Sequence, residues 1–169
     1  MAQQQGDAGS SDATMSPLWP PASPRTAEEF NMTVIGPAEF SLATSQLGVQ
    51  RATNRRAKQF AGFELTEAIA VTSVLKDLGT PVPDLSANAQ AALDRVQAAA
   101  DGADFDQAYI AVQVDNHVFL RTITEAYLSS PPVSSDMMEM QGRHLATLAL
   151  ATFTEHVILT TEILHRLTA

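Results

Sequence analysis

The sequence predicts an all-α fold, a four-helix bundle with one extra short helix. Three observations carry that prediction. Apolar residues recur at helical spacing in four long segments. Pro, Gly and Ser cluster mostly between those segments. No segment alternates with the period of two that a half-buried strand requires.

A chain of 169 residues has the length of one domain and can bury a real core. With 45% apolar and 17% charged residues it reads as globular. The net charge of -9 argues against nucleic acid and anionic membrane surfaces, and it suits cations as partners. The absence of cysteine excludes disulfides, thiolate metal ligands and cysteine nucleophiles. No apolar run approaches the roughly 20 residues of a membrane span.

Residues 1–25 are rich in Gln, Gly, Ser and Pro and bury too little apolar surface to offset their ordering entropy. They read as a disordered arm ahead of a bundle domain over 26–169. The polar Gln run after Met1 and Ala2 reads as the mature start left by a removed export signal, which predicts a periplasmic or otherwise exported protein. Trp19, among prolines, reads as a loop residue packed loosely or not at all.

The elements follow in order. Thr26-Ala27-Glu28-Glu29 is a capping box that opens helix one, which runs to about Ala52. Pro37 inside it predicts a kink, or a true start near Gly36. Helix two runs from about Asn54 to Leu78, where Gly79, Pro81 and Pro83 stop it. Its stripe reads in two registers. One runs through Phe60, Glu64, Glu67 and Val71. The other runs through Ala61, Leu65, Ala68 and Thr72 and leaves both glutamates at its margin. A shorter helix spans about 86–100, with Asp101-Gly102 as a turn. Helix three runs from Asp104 to Leu128, with Phe105, Tyr109, Val112, Asn116 and Phe119 on one seam. Ser129-Ser130-Pro131-Pro132 breaks the chain. Helix four starts near Ser135 or Asp136 and carries Leu145, Leu148, Thr152, His156, Leu159 and Ile163 as its stripe.

Tight turns make helices one and two antiparallel, and helices three and four likewise. The middle connection holds about 15 helical residues, worth roughly 22 Å. It is long enough to return the chain to the far end of the bundle, as ferritin-like folds do. A simple up-down-up-down order stays open.

Counting residues from the turns sets expected heights. Glu39 and Glu67 share a level, and mid-helix His117 falls near it. The matching level on helix four is about Leu148, with His144 and Thr152 in reach. His156 is nominally two turns away, nearer Tyr109, unless the third turn is skewed. Asp106, Tyr109 and Gln113 then form a second polar layer on that side.

The run Phe105-Asp106-x-x-Tyr109-Ile110, then Gln113-Val114-x-x-His117, resembles the third-helix signature of the domain of unknown function 4142 family, exported bacterial proteins with a ferritin-like bundle. Leu150 to His156, ending in Glu155-His156, is similar to the family's fourth-helix motif, and Gly36 with Glu39 matches a Gly-x-x-Glu pattern in its first helix. The resemblance covers about residues 30–165. It implies the fold and export, and no established activity. One departure stands out: where the family usually carries an Asp-His pair late in helix two, this chain has Glu67-Ala68, so one potential imidazole ligand is missing.

Ferritin-like metal proteins project carboxylates and imidazoles inward from all four helices. Glu39, Glu64, Glu67, His117 and His156 can supply such a mixed set, suited to Fe, Mn, Zn or Cu(II). The plainer reading makes them core-edge groups hydrogen-bonded to one another, to Thr152 or to Tyr109. A literal Glu-x-x-His at Glu162 and His165 lies in the last turn, where a cation is favoured anyway. Met137, Met138, Met140 and His144 offer soft donors for copper, although methionines at this spacing are usually core filler. No nucleophile elbow and no phosphate loop occurs.

Three function classes stay open. The leading one is a non-catalytic helical module of the cell envelope, acting through a protein partner, a second copy or stress protection. The others are a ferritin-like metal-binding or redox protein, with a transition metal ion as its cofactor, and a small-molecule carrier that uses the core.

Overall fold

The computed structural model describes residues 17–169 and holds five α-helices, with no strand among the described residues. They are α1 (Ala27–Arg51), α2 (Arg55–Asp77), α3 (Ala87–Ala98), α4 (Ala103–Ser129) and α5 (Met137–Thr168). The expected boundaries agree with these within a few residues. The expected start near Gly36 does not: α1 begins at Ala27 and runs through Pro37 as one helix. Side-chain caps fix the helix starts. Thr26, Asn54, Ser86 and Asp136 each accept a backbone N–H from the first turn of their helix. Gly102 enters α4 at φ 100°, a conformation that favours glycine.

Residue pairings give the helix directions. From Arg51–Asp101 through Ser45–Tyr109 to Pro37–Asn116, numbers fall along α1 as they rise along α4, so these two are antiparallel. Asn54 meets Asp106 and Glu64 meets His117, so α2 and α4 are parallel. Tyr127–Glu139 and His117–His156 make α4 and α5 antiparallel. The segment between α2 and α4, with α3 inside it, therefore carries the chain back past the end where α2 began. An up-down-up-down order does not fit these pairings.

The core has two lobes. One gathers Phe40, Phe60, Phe105, Tyr109 and Ile110 with α3. The other gathers Phe30, Ile35, Leu120, Ile123 and Tyr127. Glycine lets α1 approach its neighbours closely. A Cβ on Gly48 would lie 2.8 Å from Ala61 Cβ and 2.9 Å from the Tyr109 ring. At the far end Glu139 accepts from Arg143, from the Tyr127 hydroxyl and from Ala27 N, which ties three helices through a buried carboxylate.

Two expectations fail on packing. Residues 17–25 of the expected arm lie against the body, whereas residues 1–16 lie outside the described residues. Trp19 is buried, and its indole N–H donates to Asn116 Oδ1 at 2.7 Å. Asn116 in turn donates to the Pro37 carbonyl and to Ser41 Oγ. The α5 stripe is also offset in its first half. Glu139, Arg143 and Ala146 are buried there, while Leu145 and Leu148 stand 57% and 69% exposed.

Candidate metal centre

On α2 the second register holds in part. Its Ala61, Ala68 and Thr72 are buried, together with Ala57 and Leu75. Phe60 and Glu64 of the first register go in with them, Leu65 is half-buried, and Glu67 is left at the rim. On α4 the seam buries His117, and on α5 it buries His156. Three helices thus bring Glu64, His117 and His156 together at 4%, 1% and 5% exposure.

The contacts are short. Glu64 Oε2 lies 3.1 Å from His117 Nε2 and 2.9 Å from His156 Nδ1. The two ring nitrogens lie 3.1 Å apart. Phe60 meets both imidazoles edge-on, with centroids 6.0 and 5.1 Å away, and walls the site off from Tyr109.

The outward nitrogens fix the protons. His117 Nδ1 lies 2.8 Å from the Gln113 carbonyl, which can only accept, so Nδ1 carries a hydrogen. In the neutral ring that leaves a lone pair on Nε2, aimed at Glu64 and His156. His156 Nε2 faces Glu67 Oε2 at 3.4 Å. This is the outer arrangement that orients metal-bound histidines: a carbonyl or carboxylate takes the other N–H. Three acceptor-capable atoms packed this closely need positive charge between them, from protons or from a metal ion.

The electrostatics agree. Burial works against an ionised Glu64, but the charge of His117 and hydrogen bonds from both rings outweigh it and hold the carboxyl well below the usual carboxylate range. Burial pulls His156 down, yet its hydrogen bond to Glu64 and the charges of Glu64 and Glu67 raise it above its ordinary 6.5. Burial raises the Glu67 carboxyl more than His156 lowers it.

The donor set fits a metal. Bonds of about 2.0–2.1 Å in a tetrahedron put ligand atoms roughly 3.3 Å apart, so each edge here would open by only a few tenths of an ångström. Ser41 and Ala38 of α1 border the site without adding a strong ligand, and a cleft of about 310 Å³ opens on that side. Three protein ligands and one open position are the pattern of a metal that exchanges a water or a substrate.

The remaining expected residues go elsewhere. Glu39 is outside the cluster: Ala38 and Ser41 take the positions facing the cleft, and the Glu39 carboxylate meets Lys76 Nζ at 2.5 Å. The expected second layer does not form around His156. Asp106 accepts from Thr53 N, Thr53 Oγ1 and Asn54 N, which welds the α1–α2 turn to α4. The Tyr109 hydroxyl pairs with Ser45 Oγ at 3.0 Å. The Gln113 amide donates to Thr44, and Ser41 donates to its oxygen. Glu162 pairs with Arg56 and Arg166, while Met137 and Met138 are exposed. The sequence placed Phe60 and Asn116 on their stripes without the contacts they make, and sequence reasoning missed the Gln113 carbonyl. The spacing of Gln113 and His117, four residues apart on one helix, was the available signal for the last.

No helix among the described residues is long and apolar enough to cross a membrane. No curated protein and no solved structure matches the chain. One family model does, over residues 14–156, a span that includes the whole cluster. The chain belongs to the domain of unknown function family DUF4142.

Proposed function

We propose that this chain is an exported, ferritin-like four-helix-bundle protein of the bacterial cell envelope that holds one divalent transition-metal ion between Glu64, His117 and His156. The antiparallel α1–α2 and α4–α5 pairs, with a long return connection between them, support the ferritin-like reading. The family supports export. The observation that carries the metal reading is the meeting of three buried donor atoms at 2.9–3.1 Å with both outward ring nitrogens already facing acceptors. Two imidazoles and one carboxylate suit Fe(II), Mn, Zn or Cu(II), and with open positions this is the set used for oxygen chemistry on non-haem iron.

Elemental analysis of protein purified without a metal-affinity tag tests the reading. About one equivalent of metal is expected, lost in Glu64→Gln at unchanged fold. Less than about 0.1 equivalent, with no thermal shift on adding Fe, Mn, Zn or Cu, would sink it.

A second reading keeps the chain a non-catalytic envelope module with the cluster as a buried ion pair. It is favoured by Glu64 Oε2 already sitting 2.9 Å from His156 Nδ1, a full hydrogen bond with no metal required. The same elemental analysis separates the two.

A further inference from the structure

Met137, Met138, Met140 and His144 stand in the first turns of α5 and take no part in the buried centre. A methionine that fills a gap in the core is buried. None of the four methionines among the described residues is. Met32, Met137, Met138 and Met140 are 52%, 78%, 74% and 36% exposed, and His144 is exposed with them. Glu139, Arg143 and Ala146, on the opposite face of α5, reach the core in their place.

The helical turn sorts the soft donors. Met140 and His144 follow Met137 by three and seven residues, so the three stand in one outward row, successive Cβ atoms about 5–6 Å apart. That spacing lets two thioether sulfurs and one imidazole nitrogen close on a single ion, and the long, unbranched methionine side chain adapts to it. Met138 points about 100° round the helix from Met137 and lines a separate cleft with Met32, Glu28 and Leu78. Thioethers select Cu(I), whereas Zn, Mn and Fe(II) favour the nitrogen and oxygen donors of the buried centre. The partial positive charge at the start of α5 works against a cation, and the Asp136 carboxylate that caps the helix offsets it.

We propose that Met137, Met140 and His144 form a surface site for one Cu(I) ion. It is separate from the Glu64–His117–His156 centre and does not depend on that centre being filled.

Anaerobic titration of the full chain with Cu(I), in competition with a bathocuproine chelator, tests the site together with methionine methyl NMR spectra. About one equivalent of Cu(I) should bind to the Glu64→Gln chain through this row. The methyl signals of Met137 and Met140 should move, those of Met32 and Met138 should stay, and Zn(II) should move none of the four. Met137→Leu, Met140→Leu and His144→Leu should each weaken Cu(I) at least tenfold, and Met138→Leu should leave it unchanged. All of these positions are exposed, so helix content by circular dichroism should not change. Cu(I) held as tightly by the Met137→Leu, Met140→Leu double variant overturns the assignment, and so does movement of the Met32 and Met138 signals instead. Failure to bind Cu(I) overturns it as well, whatever metal the buried centre holds.

Discussion

His117 Nε2 and His156 Nδ1 approach to 3.1 Å across rings packed edge to face, with centroids 4.8 Å apart. At that distance two neutral rings can share one proton at most, and Glu64 Oε2 closes the triangle. Replacing His117 with Phe removes one corner and keeps the ring volume beside Phe60 and Phe153. His117→Phe should lower metal affinity at least a hundredfold in a competition assay. Metal-free protein should lose only about 1–2 kcal/mol of stability, because His156 still pairs with Glu64. Undiminished affinity would remove His117 from the ligand set.

Gly48 tests the close approach of α1. An alanine there needs about half an ångström of separation from Ala61 and from Tyr109 together. Although alanine favours the helix, overpacking should dominate, and Gly48→Ala should destabilise by about 1–3 kcal/mol in urea unfolding. A stabilised variant would mean that the helices yield freely.

Asp106 has the local role of joining two elements. Its carboxylate accepts two backbone N–H groups and one hydroxyl. Asp106→Ala strands those donors and should cost about 2–3 kcal/mol, with metal content unchanged. Loss of metal at intact fold would instead tie Asp106 to the centre.

Trp19 is the chain's single tryptophan, so its fluorescence reports one place. The buried indole beside Phe40 and Phe119 should emit at short wavelength and shift red on unfolding. Trp19→Ala should cost about 3 kcal/mol, through lost packing and an unpaired Asn116. A red, readily quenched emission from native protein would contradict the docked segment.

The two tyrosines supply a pH test. Burial, with the hydrogen bond and charge of Glu139 added, pushes the Tyr127 phenol up to about 12. Burial also drives Tyr109 far above its ordinary value, against the lowering by its hydrogen bond to Ser45. Above pH 10 the unfolded phenols have lost protons that the folded ones keep, so folding stability falls as pH rises from 10 towards 12. Native protein should show little tyrosinate absorbance at pH 10.5, whereas protein in urea should show about three quarters of it.

Helix existence was legible because caps, stripes and breakers agree along most of the chain. Depth within the fold was not. Counting levels put His156 two turns from His117, yet the two rings touch. Side chains lean towards the N-terminus of their own helix, and α4 and α5 are antiparallel, so the two imidazoles lean towards each other across that gap. Trp19 escaped for a different reason. Its proline-rich surroundings carry no period, and only the Asn116 amide and the wall of Phe40 and Phe119 reveal its seat. Glu39 misled because position on a helix face, not level, decides which carboxylate turns inward.

The three corners of the triangle come from α2, α4 and α5, and even the two histidines are 39 residues apart in sequence. No one helix supplies two of these corners, unlike a peptide whose donors sit a turn apart. An ion can be gripped only once the helices have assembled, so the metal in the finished protein would be chosen by the compartment in which folding ends. Cargo identity would then follow the place of maturation, and protein refolded in a different metal bath should carry that bath's ion.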